Sequence, residues 1–178
     1  MPSTQNSPVI LAIDPGTKEL GFAVLQGETL LYYGVKTVTN RKVPSLVLET
    51  ITGFIKGLIE KYEPSTLAVE KMFITQKNSA LLYVAAEQVK AVSKESGISI
   101  WEQSPSAIRK RLCQTGRATK REVAKLIADR YPELARYYNR SKHWEIEYYG
   151  NLFDAVAVGL VCLENLSQTQ AAIGEQTT

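Results

Sequence analysis

The order of strand and helix patterns predicts an α/β fold, a mixed five-stranded sheet with helices on both faces. The first three apolar runs follow one another with only short turns between them, as in a three-stranded antiparallel meander. The last two alternate with helical patterns, which is typical of crossovers between parallel strands. The five predicted strands are residues 9–13, 21–25, 30–38, 66–69 and 98–101.

Helical periodicity accounts for most of the remaining chain. Pro44 suits the first turn of one helix, and the spacing of Thr119 to Glu122 matches a capping box at the start of another. The irregular, aromatic segment 133–150 is predicted to form neither helix nor strand. The predicted helices are 44–62, 79–96, 105–113, 120–131 and 152–165.

Length and composition indicate one domain. With 178 residues the chain can bury a core without disulfides, and we place the domain at residues 8–166 with flexible tails at 1–7 and 167–178. Cys113 and Cys162 lie far apart, without the spacing of a zinc site, and are predicted to be reduced. The N-terminus has no secretory signal, and no apolar run approaches the roughly 20 residues of a membrane span. We therefore predict a cytoplasmic protein with no membrane partner.

Positive charge is concentrated in one stretch, although the net charge is only +3. Between Arg109 and Lys125, Glu122 is the one opposing charge. A block of this kind is compatible with a solvated helix face and with a surface that contacts phosphates. Its basic residues are Arg109, Lys110, Arg111, Arg117, Lys120, Arg121 and Lys125.

Three acids stand at the ends of, or inside, the most apolar segments: Asp14, Glu70 and Asp154. Each also has a purely structural interpretation. Asp14 begins a turn, Glu70 follows a strand, and Asp154 is placed to favour a helix start if Asn151 is the N-cap.

Together the three acids have a different meaning. If the first strand neighbours the fourth, Asp14 and Glu70 come side by side, and the last helix presents Asp154 against them. Converging carboxylates need a cation between them, and oxygen-only ligands suit magnesium or manganese. Two such ions about 4 Å apart can activate a water and stabilise the leaving oxygen in phosphodiester hydrolysis.

Four motifs carry a resemblance to a known family. They read IDPGTKELGFAV, AVEKMFITQKNSA, PSAIRKR with GRATKREV, and NLFDAVAVGL. Their order and spacing, over about residues 8–165, are similar to those of crossover-junction endodeoxyribonucleases of the RuvC type. These are Holliday junction resolvases with a ribonuclease H-like fold, which the resemblance therefore implies here.

The resemblance implies roles for individual residues. Asp14, Glu70 and Asp154 match the family's metal-binding acids. The resemblance implies two magnesium ions per site, for which manganese can substitute. Arg109 and Lys120 match basic residues near the scissile phosphate. Lys120 is thereby counted with the catalytic residues. The residues assigned to DNA contact from the basic block are Arg109, Lys110, Arg111, Arg117, Lys120 and Arg121.

The resemblance also implies partners. Phe73, three residues after Glu70, matches an aromatic residue that stacks on bases of the opened junction. Family members act as homodimers on a four-way DNA junction. The wide apolar surface of the predicted helix 79–96 is compatible with dimerisation and equally with deep burial of that helix. Branch-migration proteins are further partners, and a bacterial protein of this kind would be associated with the nucleoid.

One position departs from the family. Where a fourth acidic or histidine ligand is usual, three residues before Asp154, this chain has Asn151. Its amide oxygen is a weaker ligand than a carboxylate. Either Asn151 is that weaker ligand, or Glu145, Glu147 or His143 replaces it, or catalysis is lost.

The leading hypothesis is a metal-dependent endonuclease that resolves four-way junctions with symmetric nicks. A catalytically weak or inactive junction-binding dimer is the first alternative, because of Asn151. A ribonuclease H-like nuclease for RNA processing is the second, since RuvX-type proteins share an early Asp-x-Gly-Thr. Those proteins tend to be shorter, and the Glu-x-x-Phe element favours the resolvase.

Overall fold

A computed structural model describes residues 7–39, 41–72, 80–140 and 142–175. Its centre is one five-stranded sheet with the strand order β3-β2-β1-β4-β5. The fold class predicted from the sequence is confirmed. The strands are β1 (Val9–Asp14), β2 (Glu19–Gln26), β3 (Thr29–Thr37), β4 (Thr66–Glu70) and β5 (Ser99–Gln103).

The central strand β1 has a partner of each kind. It pairs antiparallel with β2, and Asp14 lies opposite Gly21. It pairs parallel with β4, in a register that sets Ile13 opposite Val69. The next residues along the two parallel strands are Asp14 and Glu70, so both acids reach the same edge of the sheet.

Five of the six described helices follow the predicted order, and two of them have the predicted bounds. The sixth, a single turn at Ala135–Tyr138, lies in the segment 133–150 that was predicted to be irregular. At the start of α4, Thr119 accepts from the backbone N–H of Glu122, and the Glu122 carboxylate accepts from the N–H of Thr119. The predicted capping box is therefore confirmed. The helices are α1 (Pro44–Tyr62), α2 (Ala80–Glu95), α3 (Pro105–Cys113), α4 (Lys120–Arg130), α5 (Ala135–Tyr138) and α6 (His143–Glu175).

The last helix differs most from its prediction. It begins at His143 rather than near residue 152, so Asn151 lies inside α6 and is not its N-cap. It also continues to Glu175, through nine residues that were predicted as tail. Aromatic residues are only moderate helix formers, but the ring of Tyr149 packs 4.8 Å from that of Tyr137. That tertiary contact outweighs local propensity, and no proline interrupts the later turns.

Helix α6 is long and apolar enough by composition to cross a membrane, but 56% of its apolar window is buried inside the protein. Burial of this extent is that of a core helix. Leu152, Val156 and Leu160 are among the side chains of α6 that are wholly buried against the sheet and the neighbouring helices.

The sheet has a separate core on each face, because successive side chains of a strand point to opposite faces. On the face covered by α1 and α2, the buried strand residues are mostly large: Leu11, Ile13, Leu20, Phe22, Val24, Leu67 and Val69. On the face covered by α6 they include three alanines: Ile10, Ala12, Ala23, Leu25 and Ala68.

Two glycines bring α6 close to the sheet. A Cβ atom on Gly21 of β2 would lie 1.9 Å from the carbonyl oxygen of Asn151. A Cβ atom on Gly159 of α6 would lie 2.6 Å from a methyl carbon of Leu25 and 2.9 Å from the Cβ of Ala12. Any side chain at either position would collide with its neighbour, so these glycines fix the position of α6 over β1 and β2.

Candidate active site

Strand geometry turns Asp14 and Glu70 towards α6. Side chains alternate along a strand, so Asp14 shares the face of Ala12, and Glu70 shares the face of Ala68. Both alanines pack in the α6-side core. The two carboxylates thus stand side by side, at the edge of the sheet where β1 and β4 end, and face the last helix.

Helix α6 brings the third acid to this edge. Gly21, which pairs with Asp14, is the residue that touches the α6 backbone at Asn151. Asp154 follows one turn later, and its side chain is only 17% exposed. Glu70 and Asp154 line one cleft together with Arg109 and Lys120. The three predicted acids thus lie at one edge of the sheet, where the charges of Asp154 and Glu70 act on Asp14.

Two cations approach the acids from neighbouring helices. Lys120 is the first residue of α4, directly after the Thr119 cap, and its Nζ donates a hydrogen bond to Oδ2 of Asp154. Arg109 reaches the same cleft from α3. The capping box therefore helps to position a lysine that neutralises part of the acidic charge.

The protonation of the acids reflects their crowding. Burial, followed by the charges of Asp154 and Glu70, raises the pKa of Asp14 well above its ordinary value. Burial and Asp154 also raise the pKa of Glu70, against the opposing influence of Lys120 and Arg109. The acids raise the pKa of Lys120, although its partial burial acts to lower it. The site is thus short of positive charge despite its two cations.

The lack of positive charge around the three acids suits a divalent cation. The donors are carboxylate oxygens, which hard cations such as magnesium prefer. Within the described ranges, no three acidic, histidine or cysteine side chains are already arranged as a complete metal site. Because Lys120 is bonded to Asp154, a cation held by Asp14, Glu70 and Asp154 requires a local rearrangement of this lysine. The assignment of these residues as ligands stays a prediction.

Asn151 lies nearest to Asp154 along α6 among the four candidates for the fourth ligand. Glu145 receives a hydrogen bond from Arg140 at 3.3 Å. His143 and Glu147 lie 3.7 Å apart on the first turns of α6, with 86% and 73% of their side chains exposed. Glu147 is seven residues, or about 10 Å along the helix, before Asp154. Asn151 and Asp154 share one helix face at i, i+3 spacing.

The basic block divides between the site and the rest of the surface. Arg111 points elsewhere, because its Nε donates to Glu164 of α6 at 2.8 Å, ten residues beyond Asp154. The Arg121 guanidinium lies 5.5 Å from the ring centre of Tyr138. Lys110 and Arg117 are exposed. Phe73, the predicted stacking residue, lies outside the described residues.

Sequence reasoning missed one positioning residue, Gly21. It allows the backbone of α6 to approach directly beside Asp14. The available signal was a glycine inside an apolar strand, which often marks a close approach of another backbone.

Comparison with known proteins agrees with this arrangement. The family model described as crossover junction endodeoxyribonuclease RuvC matches residues 10–132. A protein of that name from Akkermansia muciniphila is 30% identical over 124 residues, which cover 66% of this chain and 74% of the relative. Another, from Heliobacterium modesticaldum, is 28% identical over 165 residues, which cover 89% of this chain and 96% of the relative.

Solved structures of Holliday junction resolvases have a similar fold. Thermus thermophilus RuvC is similar with a TM-score of 0.67 at 25% identity, over 85% of this chain and 91% of that protein. The yeast mitochondrial Holliday junction resolvase Ydc2 is similar with a TM-score of 0.65 at 13% identity, over 95% and 84%. The fold is therefore ribonuclease H-like, and the chain belongs to the RuvC family of crossover-junction endodeoxyribonucleases, which are metal-dependent nucleases.

Proposed function

We propose that this protein resolves Holliday junctions as a homodimer, with one symmetric nick in each of two opposed strands. The observation that carries the proposal is the meeting of Asp14, Glu70 and Asp154 beside Arg109 and Lys120. Acids that crowd one another and cations at the same cleft are what phosphodiester hydrolysis requires. A four-way DNA junction is bound in the complex of Thermus thermophilus RuvC, whose fold this chain shares.

The chain's own groups divide the chemistry between them. Asp14, Glu70 and Asp154 hold the divalent cations, which we propose to be two magnesium ions, replaceable by manganese. Such ions, when bound, activate a water and stabilise charge on the leaving oxygen. Arg109 and Lys120 hold and orient the scissile phosphate, and in-line displacement leaves 5′-phosphate and 3′-hydroxyl ends.

Helix α2 supports the proposed dimer. Its residues Ala85, Val89 and Val92 are buried in the α1-side core, whereas Val84 is 44% exposed. Leu81 and Tyr83, beside it on α2, are only partly buried, and a contiguous apolar patch of this kind favours a partner surface there. Val84→Glu should therefore lower the dimer fraction in sedimentation velocity, and Lys94→Glu, a change on the last turn of α2, serves as the control. An unchanged dimer fraction in V84E would contradict this interface.

Junction cleavage tests the proposed reaction. Asp14→Asn should lower the rate of cutting of an end-labelled synthetic four-way junction by about 10³-fold with magnesium or manganese, since loss of a metal ligand removes several kcal/mol of transition-state stabilisation. Asp129→Asn is the matched control, because Asp129 is 65% exposed and pairs with Lys125 on the surface of α4. Equal cutting by D14N and wild type would exclude the proposed site.

Metal binding is tested separately by thermal unfolding. A cation that binds only the folded protein raises the melting temperature with its concentration. Magnesium should stabilise wild type and D129N, and should stabilise D14N much less. Equal stabilisation of all three proteins would place the metal elsewhere.

Asn151 favours one other function, a junction-binding dimer that cuts weakly or not at all. That protein would bind junctions with strong salt dependence and would leave them intact with either metal. Asn151→Asp separates the cases. A large gain in cutting by N151D would show that a missing carboxylate limits the wild type, and an unchanged rate would show that the ligand set is already sufficient.

A further inference from the structure

Helices α4, α5 and α6 enclose a pocket of about 430 Å³ beside the candidate active site. Its size is that of a site for a small planar molecule. Four of its eleven wall residues are aromatic: Tyr137, Tyr138, Tyr149 and Phe153. These four residues lie beyond residue 132, where the match to the family model ends.

The pocket adjoins the candidate catalytic cleft. Lys120 lines both the pocket and the cleft, and its Nζ donates a hydrogen bond to Asp154. Asn151, one turn before Asp154 on α6, also lines the pocket. A DNA strand whose phosphate lies at Lys120 therefore has this pocket within reach of its neighbouring nucleotides.

The charges at the pocket suit a nucleotide. Lys120 and Arg121, at the N-terminus of α4, contribute positive charge, and the helix dipole adds to it. The Arg121 guanidinium lies over the ring of Tyr138. Aromatic rings and arginine side chains of this kind also stack on nucleobases. The acid in the wall, Glu147, is 73% exposed and lies at the outer end. Cations beside aromatic rings match a ligand with an anionic backbone and a flat apolar part.

The amide of Asn151 is available for recognition. It makes no hydrogen bond to any residue that the structure describes. An asparagine amide offers an NH2 group that donates and a carbonyl oxygen that accepts, and together they can read the edge of a nucleobase.

We propose that this pocket takes up one unpaired nucleobase of the strand that is cut, close to the scissile phosphate. The base stacks against Tyr138, and the Asn151 amide hydrogen-bonds its edge. This inference rests on the proposed function, and it assigns Asn151 to base recognition rather than to metal binding. Taking a base out of its stack needs least energy where pairing is already disturbed, as at a crossover point.

A scan of abasic junctions tests the proposal through binding alone. Each nucleotide flanking the cut position is replaced in turn by an abasic residue, and affinity is measured with EDTA present so that no cutting intervenes. At one position, loss of the base should weaken wild-type binding by about 5- to 150-fold, the range for stacking of one base on an aromatic side chain. Tyr138→Leu should bind the intact junction with a similar loss, and should lose nothing further at that position.

The control is Trp144→Leu, which removes another aromatic residue of α6 that is 60% exposed and outside the pocket wall. W144L should keep the full abasic penalty of the wild type. Asn151→Leu provides a second pocket variant in case Y138L is poorly folded by circular dichroism, and it should abolish any preference for base identity at the sensitive position.

The result that overturns the proposal is an equal abasic penalty in wild type and pocket variants at every position. Failure of the proposed function has a different signature, namely no cutting of the intact junction by wild type with magnesium. If wild type cuts the junction but the pocket variants show the same abasic penalty as wild type, the proposed function stands and the base-binding role of the pocket is excluded.

Discussion

The two faces of the central sheet differ in the size of the side chains that they bury. Under α1 and α2 the strands present leucine, isoleucine, valine and phenylalanine. Under α6 three alanines take their place, and Gly21 and Gly159 add contacts in which no Cβ fits. The first face is a conventional packed core, whereas the second admits a helix backbone close to the strands.

The difference explains why all three acids meet on the α6 side. Aspartate side chains are short, so Asp14 and Asp154 approach each other only if α6 lies close to β1, the strand that carries Asp14. Large side chains between them would keep α6 at an ordinary distance. The small residues are thus as necessary to the candidate active site as the acids, although they have no role in the proposed chemistry.

The largest effect on stability is expected from the well-filled face. Leu11→Ala would leave a cavity between the sheet and α1, at a cost of about 2–5 kcal/mol in the free energy of unfolding. The rate of junction cutting per folded molecule should be unchanged, because the proposed catalytic acids face the opposite side of the sheet. Urea unfolding and cleavage assays on one preparation measure both quantities. A large loss of turnover in folded L11A would mean that the two faces are coupled.

Gly21→Ala is expected to act mainly on the rate of junction cutting, in contrast to Leu11→Ala. The new Cβ would lie 1.9 Å from the Asn151 carbonyl oxygen, so α6 must shift and carry Asp154 with it. A displacement of about 1 Å at a catalytic group can lower the rate by about 10²-fold. Junction cutting under single-turnover conditions measures the loss.

Gly53→Ala is the matched control for that change, and it is also a prediction for the α1 side. Nothing lies within 4 Å of a Cβ atom at Gly53. G53A should therefore stabilise the protein by about 0.5–1 kcal/mol through the better helix propensity of alanine, with normal cutting. If G53A impaired cutting as much as G21A, the close approach of α6 would not be the cause.

A smaller loss is expected at the cap of α4. Thr119→Ala removes the side-chain acceptor of the capping box directly before Lys120, and such changes cost about 1 kcal/mol. Cutting should fall modestly, since the first turn of α4 frays and Lys120 is less well placed. Raising the salt concentration should lower junction affinity to a similar degree in T119A and wild type, because no charge is removed. A changed salt dependence would point to a lost phosphate contact instead.

Local patterns were sufficient to predict the sheet and the positions of Asp14 and Glu70. Each acid directly follows an apolar run, and strand order then brings the two together. The start of α6 was not predictable in this way, because it depends on the tertiary packing of Tyr149 on Tyr137. Neither tyrosine belongs to a regular apolar repeat in the sequence. The N-cap interpretation of Asn151 failed for the same reason. The role of Gly21 depends on which helix covers which strand, and no local pattern contains that information.

The ion pair between Lys120 and Asp154 has a thermodynamic consequence for ligand binding. A divalent cation that binds Asp154 must first displace an ammonium group, so its uptake is an exchange of counterions. The lysine released in that exchange is then available to a phosphate oxygen. Phosphate, by drawing Lys120 away, in turn leaves Asp154 more attractive to the cation. Linkage requires each ligand to raise the affinity for the other by the same factor, so the metal should bind more tightly once the junction is in place.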